Sequence, residues 1–337
     1  MKKIFKEIIK NNFLKNVDFD FINFPIIHSF YKKIYRNHIN KKLNNFKLSD
    51  LMISTEPSNI CNAKCIMCPY QKMTRKKEIM PMSFFKEIVD NCLMYGVKDF
   101  NLNFYNEPFL DPFIFERIKY LKSKGVRAQL FSNGSLVDSE KIEQIFKSGL
   151  DEIIFSIDSL KKETYESIRR GLVFEKTINN ILNLIKRKKD LGLEKPKIKL
   201  NFVKQKLNEA ELKEFRSFWV DKVDKIYVSL DDGRNEIPEL FENDKKNLTS
   251  FPCVRLWHEL IVMSNGKVPL CCMDYDGKII LGDFNTQSLK EIWGGDNFKK
   301  IRQLHLDFKA DKIHLCKKCV SPWRRNISMI KHNREEK

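Results

Sequence analysis

Apolar residues follow two alternating patterns between residues 51 and 230. Short apolar runs predict six strands, at 51–55, 99–104, 126–131, 152–157, 197–203 and 225–230. Between them, apolar residues recur with helical spacing and predict five helices, at 83–95, 113–124, 138–147, 178–189 and 209–220. Strands that alternate with helices favour a parallel sheet, either a partial barrel or an open doubly wound sheet. We therefore expect the α/β class.

The first predicted helix shows the pattern most clearly. Phe84, Ile88, Val89 and Cys92 fall on one side of it, and Ser83 before them is a suitable N-cap. We expect Cys92, on that apolar side, to be a buried and inert thiol.

Residues 1–50 differ from this core in composition. They hold eleven Lys and Arg residues against four acidic residues, and Phe5, Ile8, Ile9 and Phe13 fall near helical spacing. We predict a basic helical extension packed on the core. A helix that lies on a membrane surface is the alternative.

The end of the chain is predicted to form a separate, smaller α+β domain. Residues 236–250 are polar and charged and predict a linker between a core at 51–235 and a cysteine-rich domain at 251–337. Two elements are predicted in that domain.

The first element is a hairpin. The turn sequence Ser-Asn-Gly at 264–266 joins apolar runs at 260–263 and 267–270. The second is a helix at 288–304, just before the last cysteine pair.

Composition excludes several classes of protein. The chain has 337 residues and a formal charge of +18, but its Lys residues are dispersed, so we expect a solvated basic surface and no nucleic-acid partner. No run of about 18 apolar residues occurs, so no transmembrane segment is expected. The charged N-terminus lacks a signal-peptide pattern, which predicts a cytoplasmic location. Nine cysteines there are expected to be thiols or metal ligands.

Three cysteines follow the first predicted strand as Cys-x3-Cys-x2-Cys, at Cys61, Cys65 and Cys68. Three thiolates can hold three irons of a 4Fe–4S cluster and leave the fourth iron open to a small molecule, whereas electron-carrying clusters use four thiolates. Ligand sites of parallel α/β folds form at the carboxyl ends of strands, where this loop is predicted to lie. A zinc site that lacks its fourth ligand is the structural alternative.

A second cysteine set lies in the C-terminal region. It consists of Cys253, Cys271, Cys316 and Cys319. Four thiolates complete a 4Fe–4S cluster without an open iron, and a zinc site with four cysteine ligands is the alternative.

The segment CNAKCIMC resembles the cluster-binding signature of the radical S-adenosylmethionine (SAM) superfamily, with Met67 at its apolar position. The resemblance covers roughly residues 51–230 and implies a partial (β/α)6 TIM-like barrel. Two positions depart from the usual motifs, since Asn106 replaces Gly and Ser132 replaces Thr, but neither change removes a charged group. Further matching segments are Asn106-Glu107-Pro108, Ser132-Asn133-Gly134, Ser156-Ile157-Asp158 and Arg169-Arg170-Gly171.

This resemblance implies which residues hold SAM. The open iron would chelate the amino and carboxylate groups of SAM, and Glu107 would accept a hydrogen bond from the amino group. Arg170 is an alternative to Arg169 as the partner of the carboxylate. The alternative is that the residues named in this paragraph serve only in turns, helix caps or core packing. The remaining residues implied for the ribose, the carboxylate and the adenine are Asn133, Ser156, Asp158, Arg169 and Met67.

The C-terminal pattern Cys…Gly-x4-Cys…Cys-x2-Cys resembles the SPASM domain, in its shortened twitch form, of radical SAM enzymes. Because Gly266 sets the register, the resemblance selects Cys271 over the adjacent Cys272. The resemblance therefore implies two 4Fe–4S clusters, one that binds SAM and one auxiliary.

The resemblance implies an oxygen-sensitive oxidoreductase that cleaves SAM to the 5′-deoxyadenosyl radical. We expect it to dehydrogenate a hydroxylated, sugar-like small molecule, with the auxiliary cluster as electron acceptor and a flavodoxin- or ferredoxin-type reductant. Candidates for the proton acceptor are Tyr105, Arg170, Asp231 and Asp232. The alternatives are a peptide-modifying maturase, and a non-catalytic iron–sulfur or zinc protein that binds RNA or membrane.

Overall fold

The computed structural model describes residues 33, 37, 46–230, 252–317 and 319. The chain divides into two units, Met1–Lys47 and Leu48–Lys337, and the elements and sites below lie in the second. Nearly all of the predicted N-terminal extension, the whole predicted linker, and Asp231 and Asp232 lie outside the described residues. Among the described residues, no helix is both long and apolar enough to cross a bilayer.

Seven parallel strands form the main sheet, in the order β6-β5-β4-β3-β2-β1-β7. Each predicted strand is present within a few residues of its expected position, which confirms the α/β class with a parallel sheet. The sheet does not close on itself in the described residues. The strands are β1 Met52–Thr55, β2 Asp99–Asn101, β3 Arg127–Ser132, β4 Glu152–Ser156, β5 Lys197–Lys204, β6 Lys225–Leu230 and β7 Glu259–Val262.

Helices connect these strands and cover one face of the sheet. Helix α1 begins at Met82 after Pro81, so the prediction of Ser83 as its N-cap is wrong; a proline with fixed φ suits the start of a helix. Gly294 and Gly295 divide the helix predicted at 288–304 in two. The helices are α1 Met82–Leu93, α2 Ile114–Ser123, α3 Ser139–Ser148, α4 Lys162–Ile168, α5 Phe174–Asp190, α6 Leu212–Trp219, α7 Leu289–Trp293, α8 Asp296–Leu306 and α9 His314–Lys317.

Strand β7 departs from the predicted hairpin. The turn at 264–266 is present, with Gly266 at a φ of 85° and the Met263 N–H donating to the Lys267 carbonyl over 2.9 Å. However, β7 joins the main sheet parallel to β1, and β8 (Lys267–Pro269) pairs antiparallel with β9 (Ile280–Asp283). A run of buried apolar residues such as that of β7 suits a parallel strand. The C-terminal region therefore adds a strand to the main sheet.

The two faces of the main sheet differ in polarity because side chains alternate along each strand. Ile53, Phe100, Leu130, Phe155 and Phe202 are fully buried on the outer face, which the helices cover. Contacts of Phe202 with Phe215 of α6, at 4.9 Å between ring centroids, are typical of that layer. The opposite, inner face carries Ser54, Asn101, Gln129, Glu152 and Asn201.

A buried ion pair joins the sheet to the C-terminal region. Glu56, directly after β1, accepts two hydrogen bonds from Arg75, at 2.7 and 2.8 Å, and one from the Ser264 N–H at 3.3 Å. The Arg75 Nε–H donates to the Tyr275 carbonyl over 2.7 Å. Burial raises the pKa of Glu56, while the bonds and charge of Arg75 oppose that effect. Two segments distant in sequence are thus held by one carboxylate.

We predict that Arg75→Met lowers the free energy of unfolding by about 3–5 kcal/mol, because it leaves the buried Glu56 carboxylate without its counter-ion. Urea denaturation followed by circular dichroism measures this loss. Arg187→Met is the control, since Arg187 pairs with Glu143 on the exposed surface, and it should change stability little. Equal losses in both variants would contradict the assignment.

Candidate active site

The loop that carries Cys61, Cys65 and Cys68 follows β1 at the carboxyl edge of the sheet. Its backbone is fixed by the segment after α4: the Lys64 N–H donates to the Arg170 carbonyl over 2.7 Å. The Cys61 N–H donates to the Tyr70 hydroxyl over 2.9 Å. The pKa of the Cys61 thiol is raised to about 12, chiefly by burial, with Glu107, Cys65 and Cys68 adding to the effect. Cys65 and Cys68 therefore both lie close enough to Cys61 to affect its pKa.

The backbone at position 171, directly after Arg169 and Arg170, requires glycine. Its φ is 87°, and a Cβ there would lie 3.4 Å from the Asn62 carbonyl oxygen of the cysteine loop. A left-handed conformation in close contact with another backbone favours glycine. The loop and the 168–171 segment are thus built to lie against each other.

Glu107 lies six residues after the end of β2 and is only 1% exposed. Its carboxylate accepts from the Ser132 hydroxyl at 2.8 Å, the Asn133 N–H at 2.8 Å and the Phe109 N–H at 3.3 Å. Burial raises its pKa to about 7, although these three bonds lower it. A carboxylate has about four lone-pair directions, so one more donor can be accepted. Glu107 therefore organises the end of β3 and can accept one further hydrogen bond.

Asn133 connects the end of β3 to the cysteine loop. Its side-chain NH2 donates to the Asn62 Oδ1 over 2.9 Å, and its own Oδ1 accepts from the Ser135 hydroxyl over 2.7 Å. Asn62 in turn donates to the Ser135 oxygen over 3.0 Å. This closed ring of hydrogen bonds fixes the residue next to Cys61. Neither Asn62 nor Ser135 was predicted as a site residue, although Asn62 lies inside the cysteine motif and Ser135 directly follows Ser132-Asn133-Gly134.

Arg169 and Asp158 form a buried pair beside the cysteines. The Arg169 Nε–H donates to Asp158 over 2.6 Å, and its Nη1 lies 3.6 Å from the Cys65 sulfur. Asp158 also accepts from the Val203 N–H over 2.7 Å and is fully buried. Burial alone would lower the pKa of Arg169, but the charges of Asp158 and Cys65 raise it. The structure thus places Asp158 as the partner of Arg169 and directs Arg169 toward a thiol.

The other predicted residues are less closely grouped. Met67 is buried within the cysteine loop, and Ser156 is half-buried at the end of β4 on the inner face. Arg170 is exposed and contributes its carbonyl to the loop. The Tyr105 hydroxyl donates to the Cys272 carbonyl over 2.6 Å, so this candidate proton acceptor points to the C-terminal region.

The C-terminal cysteines meet at a separate cavity, which we call the C-terminal cavity. Cys271 lines this cavity, and the adjacent Cys272 is not among its lining residues. The residues that line it are Cys253, Leu256, Leu270, Cys271, Met273, His305, Leu315, Cys316 and Cys319.

Both cysteine sets fit iron–sulfur clusters by the chemistry of their donors. Each offers thiols, the ligands that such clusters use, and the two sets contain three and four of them. Within the described part of the chain, no three His, Cys, Asp or Glu side chains converge tightly enough to chelate one metal ion. A 4Fe–4S cluster gives each thiolate its own iron and so accepts a wider spacing.

Comparisons with known families agree with this arrangement. Residues 55–218 match the model of the radical SAM superfamily, and residues 253–320 match the SPASM model, an iron–sulfur cluster-binding domain. The chain belongs to the radical SAM superfamily and carries a C-terminal SPASM domain. It is a SAM-dependent iron–sulfur enzyme, and the non-catalytic alternative is therefore wrong.

Two curated relatives show how far the similarity extends. The S-adenosyl-L-methionine-dependent 2-deoxy-scyllo-inosamine dehydrogenase of Niallia circulans is 20% identical over 275 residues, which cover 80% of this chain and 92% of that protein. A Pyrococcus furiosus protein described as a tungsten-containing aldehyde ferredoxin oxidoreductase cofactor-modifying protein is 27% identical over 180 residues. That match covers 52% of this chain and 49% of the Pyrococcus protein, so the chain spans about half the length of that relative.

Solved structures share the fold. Streptococcus suis SuiB bound to precursor peptide SuiA has a TM-score of 0.62 at 17% identity, over 79% of this chain and 70% of SuiB. BtrN in complex with AdoMet and 2-DOIA has a TM-score of 0.53 at 16% identity, over 80% of this chain and 92% of BtrN. At such low sequence identities, the structural similarity to SuiB and BtrN establishes only that the fold is shared.

We predict that Cys61→Ala abolishes formation of 5′-deoxyadenosine from SAM and dithionite, because two thiolates do not hold the open cluster. Anaerobic reconstitution followed by chromatography measures the product. Cys92→Ala is the matched control, since Cys92 is buried on α1 and should leave the product unchanged. Retained product in Cys61→Ala would refute the role of this loop.

We also predict that Glu107→Gln weakens SAM binding by about tenfold or more, because the amide has one acceptor oxygen for the donors that now share a carboxylate. Equilibrium binding of labelled SAM to the reconstituted protein measures the change. Glu116→Gln, at an exposed site on α2, should bind SAM as the parent does. Equal affinities in all three proteins would exclude a SAM contact at Glu107.

Proposed function

We propose that this enzyme dehydrogenates a hydroxylated small molecule, removing a hydrogen atom from carbon and transferring the second electron to the C-terminal site. The observation that carries the proposal is the pairing of an incomplete set of three thiols at Cys61, Cys65 and Cys68 with a complete set of four at the C-terminal cavity. An incomplete set has room for SAM, whereas a complete set suits electron transfer.

The three-thiol loop would hold the cluster that binds SAM. A reduced 4Fe–4S cluster there supplies the electron that divides SAM into methionine and the 5′-deoxyadenosyl radical. Glu107 accepts a hydrogen bond from the amino group of SAM at its remaining lone pair. Arg169, fixed by Asp158, places a positive charge beside the Cys65 sulfur and offsets the negative charge of the thiolates.

The C-terminal cavity would hold the auxiliary cluster, on Cys253, Cys271, Cys316 and Cys319. A cluster with four protein ligands supplies a one-electron acceptor and has no iron open to substrate. Removal of one hydrogen atom leaves a carbon-centred radical, and loss of a proton and one further electron from an alcohol radical gives a carbonyl. The proposed electron count is therefore two, one through SAM and one through the second site.

The inner face of the sheet supports a hydroxyl-rich substrate. Asn101 donates to the Ser54 hydroxyl over 3.3 Å, and Ser229 donates to Asn201 over 2.7 Å. Small amide and hydroxyl groups suit recognition of several hydroxyls at once. This chemistry matches a polyol or sugar better than an apolar ligand.

The source of electrons is also part of the proposal. We propose an acidic flavodoxin- or ferredoxin-type protein as the reductant, because a chain with a formal charge of +18 attracts acidic partners. Low-potential clusters require a reducing compartment, which favours the cytoplasm.

A peptide-modifying activity is the second candidate. It is favoured by the fold likeness to SuiB bound to its precursor peptide, at a TM-score of 0.62. Two half-exposed aromatic side chains on the inner face, Phe131 and Tyr227, could pack against a peptide. The two candidates share their SAM chemistry and differ only in the substrate that occupies the inner face.

A substrate panel tests the proposal. We expect a carbon-deuterated aminocyclitol or sugar, incubated anaerobically with SAM and reductant, to transfer deuterium to 5′-deoxyadenosine and to yield a ketone, both detected by mass spectrometry. Transfer only from deuterated peptides would replace the proposal with the second candidate.

The electron-acceptor role has its own test in the same assay. Cys316→Ala should retain SAM cleavage but lose ketone formation, because the radical can no longer release its second electron. Ketone formation at the parental rate in Cys316→Ala would contradict that role.

A further inference from the structure

His305 is the one imidazole that lines the C-terminal cavity within the described residues. It lies near the end of α8 and is fully buried. Trp257 packs against it edge-on, with the ring centroids 6.5 Å apart at an angle of 87°. The imidazole therefore has a fixed position beside the four thiols.

Both ring nitrogens of His305 contact residues of the cysteine set. Its Nδ1 lies 3.1 Å from the backbone N–H of Cys253, and its Nε2 lies 3.5 Å from the Cys316 sulfur. These two cysteines are 63 positions apart in the chain, as their numbers show. One side chain thus bridges the first and third members of the set.

The contact with Cys253 decides which nitrogen carries the hydrogen. A backbone N–H can only donate, so Nδ1 must accept and cannot be protonated. An imidazole that accepts at Nδ1 carries its hydrogen on Nε2. The Nε2–H then points to the Cys316 sulfur, at a distance suited to an N–H···S hydrogen bond.

Hydrogen bonds to ligand sulfurs change the redox properties of a cluster. A donor draws electron density from the thiolate, which stabilises the reduced form and raises the reduction potential. Cys271 has a comparable donor in the backbone N–H of Met273, 3.4 Å from its sulfur. The backbone donor cannot be removed by changing a side chain, whereas the donor to Cys316 can.

We propose that His305 is a positioning residue of the auxiliary site: it fixes the Cys253 backbone through Nδ1 and raises the reduction potential of the auxiliary cluster by donating Nε2–H to the Cys316 thiolate. The inference rests on the proposed electron-acceptor function, since a higher potential favours uptake of an electron from a substrate radical. The His305 side chain would then control how readily the auxiliary cluster accepts that electron.

The test uses the full-length chain with Cys61, Cys65 and Cys68 changed to Ala, so that only the auxiliary cluster can be loaded. His305→Leu in this background removes the donor, and His305→Gln keeps an N–H at a position similar to Nε2. The midpoint potential is measured by redox titration with electron paramagnetic resonance detection, together with the iron content.

We expect the midpoint potential of His305→Leu to fall clearly below that of the parent and that of His305→Gln to lie between them. His314→Leu, at an exposed position, is the control and should leave the potential unchanged. A potential for His305→Leu equal to that of the parent would overturn the proposal.

A second measurement serves if His305→Leu fails to load a cluster. With histidine labelled by ¹⁵N, pulsed electron paramagnetic resonance of the reduced parent cluster should detect a coupled ¹⁵N nucleus, which is lost in His305→Gln. Absence of that coupling in the parent would refute the N–H···S bond. Neither readout depends on substrate, so failure of the proposed oxidation would be seen separately, in the ketone assay.

Discussion

Parallel pairing of β1 with neighbours on both sides is the interaction on which the rest of the structure depends. β2 lies on one side of it and β7 on the other, with Thr55 opposite Val262 in the β1–β7 register. β1 leads into the loop of Cys61, while β7 lies between Cys253 and Cys271. A single strand pair therefore anchors both cysteine sets. The SPASM region is built onto the radical SAM sheet and does not merely follow it in sequence.

Buried carboxylates then fix the loops at the carboxyl edge of this sheet, where the candidate active site lies. Glu56, Glu107 and Asp158 follow β1, β2 and β4, and each is almost fully removed from water. A buried carboxylate is stable only where donors replace its hydration, so each one gathers backbone and side-chain donors from distant segments. Glu56 holds the C-terminal region, Glu107 holds the end of β3, and Asp158 holds Arg169. The fixed loops around the cysteines are the consequence.

Much of this architecture could be predicted from the sequence, because strand and helix periods and cysteine spacing are local signals. The six strands of the core and the family follow from such signals. The pairing of β7 with β1 could not be predicted, since a hairpin turn is compatible with either partner for its first arm.

The hydrogen-bond partners of the site residues could not be predicted from the sequence either. Asp158 and Tyr105 were candidates for ligand contact or proton transfer, but burial turns Asp158 to Arg169 and Tyr105 to the Cys272 carbonyl. His305 shows no paired spacing with another ligand, and only the fold brings it to Cys253 and Cys316. Such contacts depend on tertiary structure, which residue spacing does not encode.

The central claim is that the two cysteine sets hold different clusters, of which only one has an open iron. The most direct measurement is the electron paramagnetic resonance spectrum of the reconstituted, dithionite-reduced protein before and after addition of SAM. We predict two overlapping cluster signals, of which one changes with SAM and is absent from Cys61→Ala, while the other is unchanged. A single signal, or two signals that both respond to SAM, would contradict the account.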